Sequence, residues 1–195
     1  MLNSFKDYLL FQQGDPQNEP SANFCYMLFT ESPFTEQLLD VQQNAHVQAE
    51  KLIQPDQFHC TIRYVKLMGE QNPDKFIEWL SKEQLPMLEC FTSKFNIFDD
   101  QSLVLELDSP EIREWYNKVD QFLNMNGYAP SEYPSFKPHI SLAYGCTSPV
   151  PTFDGRYDRL NIKFTTHRVT DFNKKPIFNH KVQPYKGLVY NPTKQ

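Results

Sequence analysis

A chain of 195 residues that is 39% hydrophobic and 14% aromatic can bury one sizeable core, which excludes a disordered or fibrous protein. Its formal net charge of -5 supplies no global positive field, so long nucleic acid is not an expected partner, while a small anionic ligand needs only a few local cations. Cys25, Cys60, Cys90 and Cys146 form no CxxC pair and read as free thiols, and no stretch approaches a membrane span or a signal peptide, so a soluble, cytoplasmic protein without membrane association is expected.

Residues 1–21 read as an N-terminal arm: a short helix, Ser4 to Gln12, and a turn-rich link carrying Gly14-Asp15-Pro16 and Pro20-Ser21. The remainder, 22–195, reads as a single domain. Phe24 to Thr30 is aromatic and apolar between Asn23 and Ser32-Pro33, the pattern of a buried first strand. Pro33 then opens a helix whose apolar residues Leu38, Val41, Ala45, Ala49 and Leu52 recur at spacings of three and four, up to Pro55. A second strand is predicted from Gln57 to Val65, and a helix beginning near Asn72-Pro73 with Phe76, Ile77 and Leu80 on its apolar side.

Phe91 to Phe98 and Leu103 to Leu107 flank Asp99-Asp100-Gln101-Ser102, which predicts a hairpin. Ser109 and Pro110 form a helix start, Ser109 as cap, and the helix through Ile112, Trp115, Val119, Phe122 and Leu123 ends at Gly127. Trp79 and Trp115 read as core anchors. After the extended segment around Pro134 and Pro138 comes another strand, then a Pro/Gly/Asp-rich loop, Ser148 to Asp158. Two last strand-like runs follow, Leu160 to Phe164 and Arg168 to Phe172.

Two of these strands carry the same motif, Phe58-His59-Cys60-Thr61-Ile62 and Pro138-His139-Ile140-Ser141-Leu142. Alternation places His59 with Thr61 on one face, and His139 with Ser141 on one face, while Cys60, Ile62, Ile140 and Leu142 point into a core. Each motif also follows a strand and a helix, so the halves repeat one order and a pseudo-twofold cleft between the histidine strands is expected. A lone His-x-Ser/Thr triplet is weak evidence; recurrence at matching points of two half-repeats is what raises it.

Such a set suits phosphoryl transfer. One neutral imidazole takes a proton from the attacking hydroxyl and a second, protonated, gives one to the leaving oxygen on the far side of phosphorus. The hydroxyls of Thr61 and Ser141 are placed to donate to the non-bridging oxygens. HExxH, paired CxxC and tight His/Asp clusters are absent, and His46, His167 and His180 have no ligand spacing, so no metal or other cofactor is expected.

The paired motifs, with Arg63-Tyr64 after the first, Leu103 to Pro110, and Tyr133 to Tyr144 around the second, resemble the two-histidine (2H) phosphoesterases over roughly residues 22 to 172. Within that superfamily they are most similar to the phage anti-CBASS nucleases. The resemblance implies a bilobal α+β fold, two pseudo-symmetric antiparallel sheets lining a central cleft with helices outside. It also implies metal-independent hydrolysis of 3′,5′ bonds in cyclic di- and trinucleotide immune signals, in the host cytoplasm of a virus evading immunity. By it His59, Thr61, His139 and Ser141 are the catalytic set; Ser141 stands where many relatives have Thr, keeping the hydroxyl. Tyr26 matches a first-strand tyrosine used near the ligand, with a core aromatic as the other reading. Where the branch has a late acidic residue, the region after Leu160 offers His167 and Asp171 and no glutamate.

Alternation also puts Arg63 on the face of His59, where it contacts a phosphate or is simply solvated at the strand end; Lys137 is open in the same way. Most of the 16 Phe and 10 Tyr read as core, one or two as base-stacking rings. The substrate expected is a small cyclic or short oligonucleotide, with nothing to indicate a protein partner. Other readings are a 2′,3′-cyclic phosphodiesterase or 2′,5′-oligonucleotide hydrolase of RNA-ligase-like type, and a protein that sequesters nucleotides without cutting them.

Overall fold

A computed structural model describes residues 23–131, 135–152, 155–157, 159–171 and 173–183. The expected N-terminal arm lies outside the described residues. In chain order the elements are β1 (Phe24–Thr30), α1 (Phe34–Asn44), β2 (Lys51–Leu52), β3 (His59–Val65), α2 (Asp74–Lys82), β4 (Leu88–Ile97) and β5 (Leu103–Asp108). They continue with α3 (Pro110–Met125), β6 (His139–Tyr144), β7 (Asn161–Asp171) and β8 (Pro176–Lys181). None of the described helices is long and apolar enough to cross a membrane.

The strands run in the order β2-β6-β5-β4-β7-β1-β3, with β8 on β7, and every ladder is antiparallel. The two sheets expected from the sequence are the two halves of this path. β4 and β7 join them through a short ladder from Leu88↔Phe164 to Phe91↔Asn161. Both strands are long because each serves two lobes: beyond Phe91, β4 pairs β5, and beyond Phe164, β7 pairs β1 and β8. The path stays open. Its end strand β3 comes beside β6 without a ladder, Cα atoms approaching within 8 Å.

Helices α1 and α3 each reach a strand of the other half. On α1, Leu38 and Val41 are buried, and the Gln42 amide donates to the carbonyls of Ile53 (2.8 Å) and Leu142 of β6 (2.6 Å). Those bonds satisfy a buried amide that the strand edge then uses as a tie. On α3, Ile112, Trp115, Val119 and Leu123 are buried, and Trp115 reaches Tyr26 of β1. Helix α2 lies alongside, its Phe76 stacked on Phe24 at 5.4 Å and its Trp79 on Phe122 at 4.4 Å. The Ser109 cap forms as the sequence requires: its hydroxyl accepts from the Ile112 N-H (3.1 Å) and donates to the Glu89 carbonyl (2.6 Å).

Three elements depart from the sequence reading. Helix α1 stops at Asn44, well short of Pro55, because His46 turns left-handed (φ 48) and the chain from Glu50 is needed to pair with the end of β6. Close approach there demands Gly145, at φ +66, since a Cβ on it would sit 2.8 Å or less from the Glu50 side chain. The two runs after Leu160 are one continuous strand, β7. Strand β8 follows it as a further hairpin arm that the sequence reading lacks, largely exposed and therefore without an apolar alternation to reveal it.

Candidate active site

β3 and β6 meet edge to edge, and each brings its histidine to the gap. The thiol of Cys60, one residue past His59, lies against the backbone of His139. The two imidazoles are also close enough that the charge of His139 acts on His59. On both strands the intervening residues are buried, Cys60 and Ile62 on β3 and Ile140 and Leu142 on β6, so alternation leaves His59 with Thr61 and His139 with Ser141 half-exposed on the other face. The structure thus brings these four side chains onto neighbouring strands.

Each ring is held by the same bond. His59 donates from Nδ1 to the Gln57 carbonyl (2.6 Å) and His139 from Nδ1 to the Lys137 carbonyl (2.7 Å). A carbonyl only accepts, so Nδ1 carries the proton in both rings and Nε2 is left as the reactive nitrogen, a lone pair when the ring is neutral and a donor when it is charged. An aromatic ring backs each imidazole: Phe29, the cross-strand neighbour of His59, stacks on it at 5.3 Å, and Phe98 meets His139 edge-on at 4.9 Å.

The electrostatic surroundings of the pair differ. Burial lowers the pKa of both rings, and the accepting carbonyl raises each in part. Beyond that, His59 feels the positive charges of His139, Arg168 and Lys174, which lower it further, whereas Asp100 and Glu106 raise His139. Lys174 is in turn lowered by burial and by the charge of Lys51, so several cations gather around His59. Among the described residues no three His, Cys, Asp or Glu side chains come together as a metal-ligand group.

Neither of the two expected substrate contacts lies on this face. Tyr26 is 0% exposed: Trp115 Nε1 donates to its hydroxyl (2.8 Å), and the hydroxyl donates to His167 Nδ1 (2.5 Å). His167 Nε2 carries the ring's proton, because it donates to the Pro86 carbonyl (2.7 Å). Every member of this buried chain is satisfied, and burial, more than the nearby charge of His180, pulls His167 down to about 4. Tyr26 takes the core role that was the other reading of it.

Arg63 departs from the expectation of strict alternation. A bulge in β3 shifts the register between Met27↔Thr61 and Tyr26↔Arg63, so the guanidinium joins the core face of Tyr26 instead of the face of His59. There its Nε donates to Asp120 (3.0 Å), and its amino groups donate to the carbonyls of Tyr64 and Ala129 (both 2.8 Å). It ties β3 to α3 and the following loop. The Thr61 hydroxyl lies within hydrogen-bonding reach of the Cys25 thiol; burial pushes that thiol up to about 12.

Four cleft residues were not singled out from sequence: Phe29, Phe98, Lys174 and Arg168. For Arg168 a signal existed, the period-two run Thr166, Arg168, Thr170, which the split of β7 into two runs concealed.

Comparison with known proteins agrees with this architecture. The fold matches TT0787 of Thermus thermophilus (TM-score 0.61, 13% identity, 84% of this chain and 99% of that one). It matches Escherichia coli LigT in apo form (0.59, 16%, 85% and 100%) and Kluyveromyces marxianus Usb1 (0.55, 10%, 84% and 99%). At these identities the likeness is one of fold, that of the two-histidine phosphoesterases. No curated protein matches the chain. Residues 25–175, far more than half of the sequence, match the family described as anti-CBASS protein Acb1, and the chain belongs to that family.

Proposed function

We propose that the chain is a phosphodiesterase that hydrolyses 3′,5′ bonds of cyclic di- or trinucleotide signals, using His59 and His139 as a proton-transfer pair without a metal. The observation that carries this reading is the matched geometry of the two rings: both have Nδ1 locked to a carbonyl, neither has a hydrogen-bond partner on Nε2 among the described residues, and they sit on adjoining strands. Family membership supports the anti-CBASS setting, and LigT, on the same fold, has been crystallised with 3′-AMP, NADP+ and ATP.

The unlike charges support one division of roles. His59, among cations, stays neutral more readily and is the base; His139, beside Asp100 and Glu106, holds a proton more readily and is the acid. His59 Nε2 takes the proton of the attacking hydroxyl as its oxygen bonds to phosphorus. The bond to the leaving ribose oxygen breaks, and that oxygen receives the proton from His139 Nε2. Thr61 and Ser141 donate to the non-bridging oxygens, and the local cations offset the phosphate charge.

Incubating the protein with 3′,3′-cyclic GMP-AMP in EDTA and separating the products tests the reading. Linear product is expected. Ligand bound but intact would instead make this a sequestering protein, and preferential turnover of 2′,5′-oligoadenylate would make it a hydrolase of the other linkage.

A further inference from the structure

Beyond the histidine pair, the sheet face that His59 and Thr61 share continues across neighbouring strands. Thr61, Met27, Arg168 and Asn179 stand in register on β3, β1, β7 and β8, so all four share one face. Arg168 leans back over β1, its guanidinium 4.1 Å from the centre of the Phe29 ring that also stacks on His59. Its Nε donates to Asn179 Oδ1 (3.0 Å), which fixes the plane of the fork.

The terminal amino groups of that fork have no carboxylate among the described residues. Glu31 accepts from Thr166 (3.3 Å) and pairs with Lys181 (2.5 Å), while Asp171 accepts from the Lys175 N-H (2.8 Å). A guanidinium over a ring, oriented by one bond and with no hydrogen-bond partner on its terminal amino groups among the described residues, matches the two oxygens of a phosphate. The Arg168 backbone stands two strands from Thr61, and its guanidinium, over the Phe29 ring of β1, is about one strand spacing, roughly 4.8 Å, to the side of β3 away from β6, so a phosphate on it stands beside the one held between the two histidine strands.

We propose that Arg168, oriented by Asn179 and Phe29, binds a second phosphate of the substrate, the one that is not being cleaved, so that the site selects ligands with two phosphodiesters. This rests on the cyclic-oligonucleotide reading above. The charge of Arg168 reaches His59, as its place on the same sheet face requires.

The test is equilibrium binding to the His59→Ala/His139→Ala protein, expected to hold ligand without cutting it, of 3′,3′-cyclic GMP-AMP and of the linear one-phosphate dinucleotide ApG. The parent is expected to prefer the cyclic ligand by tenfold or more. Adding Arg168→Gln should bring that ratio close to one by weakening the cyclic ligand alone, and Asn179→Ala, a milder change, should lower it part of the way. A ratio unchanged by either variant overturns the proposal. So does an equal loss for both ligands, which would place Arg168 on the reacting phosphate. If the parent binds neither ligand, the reading of the substrate fails and this inference falls with it, an outcome distinct from the other two.

Discussion

His59 and His139 make the same hydrogen bond, each from Nδ1 to the carbonyl two residues before it in the chain. Both acceptors stand just ahead of the strands, Gln57 at the end of a 3-10 turn and Lys137 before β6, so each motif carries its own ring-orienting acceptor. The sequence needs no distant residue to set the tautomer, and the pairing of the two rings depends only on β3 and β6 coming together.

The pH dependence of turnover follows from the shifts. Both pKa values lie below the ordinary 6.5, burial being the first cause in each. The base must be neutral and the acid charged, so kcat/KM for the free enzyme should peak below pH 6.5 and decline toward neutrality as His139 loses its proton. A bound phosphate anion favours the charged rings, so the kcat profile should lie at higher pH than the kcat/KM profile. Paired profiles from pH 4 to 9 check this; a kcat/KM maximum above pH 8 would contradict it.

Tyr26→Phe separates a core tyrosine from a ligand contact. Deleting the hydroxyl strands the Trp115 indole N-H and His167 Nδ1, at a cost of about 1–3 kcal/mol. Denaturant unfolding should show that loss, while KM for a cyclic dinucleotide stays within about twofold of the wild type. A tenfold rise in KM without loss of stability would return Tyr26 to the ligand.

What the sequence made legible, and what it hid, follows physical lines. Local signals survived folding: the Ser109 cap, the hairpin at Asp99 to Ser102, and the alternation that puts Cys60 and Ile62 inward and His59 outward. Arg63 was misplaced because a one-residue bulge reverses every face beyond it, and nothing in His-Cys-Thr-Ile-Arg announces a bulge. The helical period runs past the end of α1 because Ala49 still packs on the core after the backbone has left the helix. Arg168 was missed because its meaning lies in neighbours on three other strands, which only the sheet order brings together.

The ion pair of Arg63 with Asp120 should matter for stability and not for chemistry. The Arg63 side chain is 3% exposed and that of Asp120 25%, so Asp120→Ala leaves a nearly buried charge unpaired. A fully buried pair broken in this way costs about 3–5 kcal/mol, and the partial exposure of Asp120 places this one near the lower end. Thermal unfolding with activity measured on the folded fraction checks both halves of the statement; a stable variant with a raised KM would put Arg63 at the substrate after all.

The central claim is that two imidazoles carry the proton transfers, and single-turnover rates on 3′,3′-cyclic GMP-AMP in EDTA test it most directly. His59→Ala and His139→Ala should each slow cleavage by on the order of a hundredfold or more, and the double variant should be about as slow as the worse single one, because the pair acts as a unit. Binding of the intact ligand should largely persist. Full activity in the double variant would contradict the account.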